Sequence, residues 1–263
     1  MLCKIEILIS TMNDGFYNIK YPSNFKLIVI HQVTNGKQTE YLKYFSSLSL
    51  KGVTYIQADS AGLSKSRNMA LSIASSPYVW IMDDDVQIFP DSYDFLIKLI
   101  DSVICCDLFL LNFTVNAKEN KAFFIGEQNS LSLKSKSRFT VFNVSSINML
   151  IKLDFVRKHN IFFNEKFGLG TDLPSGEEFL FCQDILSNGG QMQQTNIVVS
   201  KHPPVTSGMD FYSSDEKLRA KKMIFLHAFG IPGWIFFLLF LIKKSPVLIR
   251  SKSISRVFKV LFE

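Results

Sequence analysis

Three consecutive carboxylates, Asp83, Asp84 and Asp85, follow directly on Tyr78 to Met82, a run of large apolar residues. Like charges this close repel, and a fold keeps them where they are solvated or where a cation neutralises them. Mg2+ and Mn2+ take oxygen ligands, and Mg2+ is held by one or two carboxylates with substrate phosphates completing its shell. Asp83 and Asp85, with Asp84 between them, suit a divalent ion that acts as a Lewis acid on a diphosphate leaving group. The bland alternative is a strand that ends in a solvated acidic turn.

Three further stretches carry residues of this kind. In ADSAGLSKSRNMAL (58–71), Ser64 is the expected N-cap of a helix whose first turn contains Arg67. A cation there opposes the helix dipole, so Arg67 calls for an anion, either a phosphate or Asp83. In LPSGEEFLFCQDIL (173–186), Ser175 to Glu178 reads as a capping box, with Glu178 returning to the Ser175 amide. That pattern leaves Glu177 unexplained, and either glutamate suits the base that deprotonates an acceptor hydroxyl. In VSKHPPVTSG (199–208), His202 follows an apolar strand and precedes two prolines. It is either a structural histidine or a further ligand for an ion held by the aspartates.

The elements that must position these residues are legible in the hydropathy. Ile5 to Thr11, Phe25 to Thr34, Val53 to Ala58 and Tyr78 to Met82 are short, nearly continuous apolar runs, as in strands buried on both faces. A helix is expected at Ser64 to Ala74 between the third and fourth, which predicts a parallel sheet. Pro90 to Cys105 reads as another helix, Leu108 to Val115 as a strand, 116–138 as an irregular insertion and Phe139 to Val144 as a strand. Helices are expected near Leu153 to Asn160 and at Glu177 to Leu186, the second ending at Asn188, Gly189 and Gly190. In open α/β sheets ligands bind beyond the carboxyl ends of the strands, where Thr11, Asp59 and the aspartate triplet all fall.

Charge and cysteine usage narrow the class. The 263 residues carry a net charge of +6, but 215–263 holds ten Lys or Arg against three acids. The basic character therefore belongs to the tail, and the remainder shows no basic stripe interleaved with aromatics that would suit nucleic acid. Cys3, Cys105, Cys106 and Cys182 form no CxxC pair and no regular spacing, which argues against a zinc site or a disulfide framework.

Four motifs in order resemble the inverting GT-A glycosyltransferases of family 2, the group that builds bacterial surface polysaccharides: ILISTMND, GLSKSRNMAL, IMDDDV and FGLGTDLPSGEEFLF. The resemblance implies a GT-A fold, a Rossmann-like, mostly parallel sheet flanked by helices. It implies that Thr11, Asn13, Gln32 and Asp59 lie around base and ribose, and that Arg67 orders the site. Asp83 and Asp84 then face the nucleotide sugar, and Asp83, Asp85 and His202 face Mn2+ or Mg2+. Glu178 matches the position usually assigned as base, with Glu177 left open. One departure concerns the second strand, where His31 and Gln32 stand in place of the Asp that many members carry.

The tail adds a second expectation. Met223 to Ile242 contains no charged residue, but glycines and a proline interrupt it, and basic residues flank both ends. This suits interfacial insertion better than a span, with Ile254, Val257, Phe258 and Leu261 facing lipid and Lys252, Arg256 and Lys259 meeting anionic headgroups. The alternative is a buried C-terminal helix or a homodimer interface. The resulting expectation is a catalytic unit at 1–212 and a membrane-associated helical tail at 213–263, peripheral on the cytoplasmic face of a cell membrane. Its activity would be transfer of a sugar from a nucleotide diphosphate donor to a glycan or lipid-linked acceptor. A sugar-phosphate nucleotidyltransferase would share the sheet and the acidic site, but it expects a Gly-rich, Arg-containing loop that STMNDGFYN lacks. A non-catalytic nucleotide-sugar-binding scaffold is the third reading.

Overall fold

The computed structural model describes residues 3–116, 118–126, 130–141, 144–203 and 210–263. Strands β1 (Ile5–Met12), β2 (Lys26–Gln32), β3 (Val53–Ala58) and β4 (Tyr78–Asp83) are mutually parallel in the order β3-β2-β1-β4. Their apolar residues alternate between two cores. Ile5, Ile7, Ile9, Trp80 and Met82 face one side, and Leu8, Val79 and Ile81 the other. Both faces are covered, which is why these strands read as continuous apolar runs rather than as alternating ones.

The register sets the rim. Ser10 lies opposite Asp83 and Thr11 opposite His31, so the polar residues that end β1, β2 and β4 share one edge of the sheet. Helices α1 (Gln38–Ser47), α2 (Leu63–Ile73) and α3 (Ser92–Ser102) connect these and the following strands. Beyond β4 the sheet is mixed. Short β5 (Gln87–Ile88), β7 (Phe123–Phe124) and β8 (Leu133–Lys136) pair antiparallel with β10 (Met192–Lys201), which runs parallel to β6 (Leu108–Thr114). Strand β9 (Met149–Lys152) lies between β4 and β6 and is antiparallel to both.

Several sequence expectations change here. No strand forms among the described residues of 139–144. The chain turns at 138–140, Phe139 is exposed, and the strand is β9. Three apolar residues of β9, Met149, Leu150 and Ile151, complete the gap between β4 and β6, a tertiary requirement that no local pattern signals. The insertion at 116–138 supplies β7 and β8. Helix α1 buries Tyr41 and packs Tyr44 and Phe45 against the core. Helix α2 is capped at Gly62 rather than Ser64, whose hydroxyl instead donates to the Phe167 carbonyl at 2.6 Å. After α4 (Leu153–Lys158), a turn-rich stretch leads into α5 (Glu177–Ser187).

The tail folds as α6 (Asp215–Phe229), α7 (Gly233–Arg250) and α8 (Ile254–Phe262). Its helices share a small core of Leu218, Phe237, Leu241, Leu248 and Val260, while Ile224 and Ala228 of α6 enter the main core. Gly176, just before α5, has φ +106°, and a Cβ there would lie 2.1 Å from Ile224 Cδ1. The tail is thereby packed against the turn that carries the two glutamates. Arg256 and Lys259, expected to meet headgroups, remain at the surface but are already paired. Both pair with Asp215 in the first turn of α6, because α8 folds back over that helix and finds a carboxylate there. Among the described residues no helix is long and apolar enough to cross a membrane.

Candidate active site

The aspartate triplet separates onto three partners. Asp83 Oδ1 accepts from Arg67 Nη2 at 3.3 Å, Asp84 Oδ2 accepts from Thr11 Oγ1 at 2.5 Å, and Asp85 Oδ1 lies 3.3 Å from His202 Nε2. The repulsion that the sequence implies is therefore met by a guanidinium at Asp83 and a hydroxyl at Asp84, while Asp85 faces an imidazole nitrogen. Asp84 turns inward, and burial, more than its charged neighbours, raises its pKa. A Cβ on Gly15 would sit 2.4 Å from Asp84 Oδ2, so glycine leaves room for the Thr11–Asp84 bond. Side chains of Asp83 and Asp85 stay 34% and 42% exposed, open to the cleft.

Arg67, 1% exposed, is the hub. Its Nη1 lies 3.1 Å from Glu177 Oε1 and 3.4 Å from Glu178 Oε1, while Nη2 reaches Asp83. Burial works against its charge, and the fields of Glu178, Asp83 and Glu177 outweigh burial, so its pKa rises. Of the two anions expected for Arg67, a phosphate or Asp83, Asp83 lies beside it, joined by the two carboxylates of α5 that were not expected there.

The two glutamates differ in environment. The helix begins after Gly176 with no side-chain cap, and the Ser175 amide donates to Leu173, so the expected capping box does not form. Glu178 is thus released toward the cleft, its side chain 19% exposed. Glu177 is 4% exposed, and its Oε2 is buried with no hydrogen-bond partner in the described structure. Burial first, then the charge of Glu178, push its pKa up to about 8, against the pull of Arg67. Burial thus favours the protonated form of Glu177, the more enclosed carboxyl of the two.

His202 fits a metal-binding role on its donor chemistry. Nδ1 lies 2.6 Å from the Pro203 carbonyl and so carries a proton, which leaves the Nε2 lone pair facing a carboxylate oxygen in the neutral ring. A shared divalent ion would satisfy both donors, and adjacent ligands of an octahedral ion stand about 3 Å apart. Among the described residues no group of three or more His, Cys, Asp or Glu gathers as a complete ligand set. Substrate oxygens would have to supply the rest of the shell. Asp83, held by Arg67 and 3.5 Å from the Ser146 hydroxyl, lies beside this pair rather than within it.

At the end of β2, His31 is fully buried, its Nε2 donating to the Asn13 carbonyl at 2.8 Å and its Nδ1 2.7 Å from the Tyr55 hydroxyl. Burial lowers its pKa, so it is neutral and structural, stacked on Phe16. Gln32 lines the cleft, and its Oε1 is buried with no hydrogen-bond partner among the described residues. Asn13, at φ +48°, accepts from the Thr34 amide and so joins the chain after β1 to the chain after β2, and Asp59 is exposed; neither lines the cleft. Residues that sequence reasoning missed reach the cleft from far along the chain: Ser146 beside β9, and Lys221 and Lys244 from the tail. None of the three carries a local motif.

The cleft, about 1770 Å³, runs from Gln32 and Thr11 past the triplet to Glu178 and the tail. The sequence model described as "Glycosyl transferase family 2" matches residues 10–158. The chain belongs to this family. As a family 2 glycosyltransferase it has the mostly parallel α/β sheet expected of the GT-A fold. Comparison with curated proteins gave no significant match. Among solved structures, S. aureus TarS 1-349 in complex with UDP-GlcNAc is similar at 17% identity and a TM-score of 0.57, over 85% of this chain. This chain covers 65% of that one, so a third of the relative has no counterpart here. The mannosyltransferase PcManGT from Pyrobaculum calidifontis, in complex with GDP-Man and Mn2+, is similar at 12% identity and a TM-score of 0.57, over 96% of this chain and 80% of its own. At these identities both likenesses concern the fold.

Proposed function

We propose that this family 2 glycosyltransferase moves a sugar from a nucleoside diphosphate donor to a hydroxyl of a glycan acceptor, with inversion at the anomeric carbon. One observation carries the reading: Arg67 joins Asp83 at the sheet rim to Glu178 at the start of α5, so a diphosphate-side group and a carboxylate suited to take a proton face one cleft. TarS and PcManGT, which share the fold, were solved with UDP-GlcNAc and with GDP-Man, which supports the donor class.

Glu178 accepts the proton of the acceptor hydroxyl as its oxygen forms the bond to the anomeric carbon. The bond from that carbon to the diphosphate breaks on the opposite face, and the diphosphate leaves with the electron pair. Arg67 holds Glu178 and Asp83 in fixed relation, and Glu177, protonated, adds no second negative charge beside the base. Thr11 fixes Asp84, and Gln32 presents its free carbonyl oxygen to the nucleoside. Asp85 and His202 would hold Mn2+ or Mg2+, which when bound stabilises charge on the departing diphosphate.

The tail supports a peripheral location on an anionic membrane. Ile235, Leu239, Ile242 and Ile249, at helical spacing on α7, are 62%, 55%, 69% and 64% exposed, with Lys243, Lys244 and Arg250 beside them. An apolar face with basic flanks suits insertion at a headgroup boundary, next to a lipid-linked acceptor.

The test is transfer or donor hydrolysis across a panel of nucleotide sugars. Activity on one of them, reduced about 100-fold or more in Glu178→Gln with donor affinity retained, is expected. Full activity in that variant would overturn the assignment.

A further inference from the structure

The tail contributes a cationic wall to the cleft that the reaction outlined above does not use. Lys221 on α6 and Lys244 on α7 are half-buried and line the same cavity as Arg67 and Glu178, with Lys243 exposed at its mouth. Among the described residues none of the three lies within ion-pair distance of a carboxylate, although other tail cations, Lys217, Arg219, Arg256 and Lys259, all find one. Burial above all, with a smaller part from the charge of Lys244, depresses the Lys221 ammonium against the fields of Glu178 and Glu177.

Half-buried like charges facing one cavity are relieved by an anion placed between them. A phosphate ester, carrying up to two charges and several acceptor oxygens, matches two ammonium groups better than a single carboxylate does. The side of the cleft decides which phosphate. The donor's diphosphate falls to the Asp83, Asp85 and His202 side, whereas the carboxylate with the largest effect on Lys221 is Glu178, the proposed base. The group next to the base is the acceptor.

We infer that Lys221 and Lys244 form a phosphate subsite for the acceptor, so that the protein selects acceptors bearing a phosphate or diphosphate close to the reacting hydroxyl. This rests on the proposed transferase reading. The lysines are binding residues, supplied by the same helices whose exposed face suits a membrane surface.

The experiment uses the full chain and inorganic phosphate as probe, followed by phosphorus NMR. In EDTA the wild-type protein is expected to bind phosphate, Lys221→Gln/Lys244→Gln to bind at least tenfold more weakly, and Lys221→Arg/Lys244→Arg to retain binding. Lys244→Gln alone, on the outer helix, serves if the double variant fails to melt cooperatively, and it too should weaken binding. Unchanged binding in these variants, or none in the wild type, overturns the subsite. In a second arm the donor side is filled with UDP or GDP and Mg2+. Continued phosphate binding supports the acceptor assignment. Displacement of phosphate by the nucleotide assigns the lysines to the donor and overturns it. Failure of every nucleoside diphosphate to bind would instead bring down the donor reading, and the acceptor assignment with it, while leaving the lysine result in EDTA intact.

Discussion

Arg67 Nη2 lies 3.3 Å from Asp83 Oδ1, an ion pair that ties helix α2 to the rim of β4 beneath the cleft. The same guanidinium, 1% exposed, faces both glutamates of α5. Removing the cation from such a cluster leaves buried carboxylates facing one another, which costs about 3–5 kcal/mol. Arg67→Met is therefore expected to lower stability by that amount in urea denaturation, and a loss below about 1 kcal/mol would show that the cluster is not held by its charge.

Glu177 carries a signed pH dependence. Its pKa rises from 4.5 to about 8 on folding, so the folded state binds the proton more tightly than the unfolded chain. The contribution of this group is greatest below pH 4.5 and is lost as pH rises toward 8. Unfolding free energies of wild type and Glu177→Gln, measured from pH 5 to 9, should diverge in favour of the variant as pH rises. Parallel curves would mean that Glu177 is ionised throughout.

Gly176 sets the distance between the site and the tail. At φ +106°, with Ile224 2.1 Å from the position of a Cβ, alanine is disfavoured by both backbone and packing. Gly176→Ala should cost about 1–3 kcal/mol by thermal melting. Gly189→Ala, with φ +79° but open space around it, separates the two causes, since it should show the backbone part alone.

The exposed face of α7 predicts lipid binding. The wild-type chain should co-sediment with vesicles of phosphatidylglycerol and phosphatidylcholine, less so at high salt, since each basic residue near the surface contributes about 1 kcal/mol. Ile235→Asp/Ile242→Asp should abolish sedimentation at unchanged melting temperature, both side chains being exposed. Sedimentation equal to wild type would remove the membrane from the account.

Where the sequence carried local signals, the fold followed them. The continuous apolar runs of β1 to β4 announce a sheet buried on both faces, and the C-terminal ends of those runs mark the rim where Thr11 and the triplet lie. The capping signals misled at Ser64 and Ser175, because in both places a glycine in an unusual backbone conformation starts the helix and frees the next polar residues for other partners. Strand β9 was illegible, since a short apolar segment becomes a strand only when a gap between two others accepts it. The division of labour between Glu177 and Glu178 depends on which side chain the tail and Gly168 cover, and adjacent identical residues cannot reveal that. Asn13 and Asp59 matched a motif, and in the structure the Asn13 side chain binds the Thr34 amide while Asp59 is exposed.

The central claim is that the acidic rim works with a divalent ion against a diphosphate, with Asp85 and His202 as its protein ligands. Calorimetric titration of UDP and GDP into the full chain, with Mn2+ and then with EDTA, tests it most directly. The account predicts that one of these nucleotides binds with Mn2+, that chelation weakens it at least tenfold, and that Asp85→Ala/His202→Ala in Mn2+ behaves like wild type in EDTA. Equal affinity in all three conditions would contradict it.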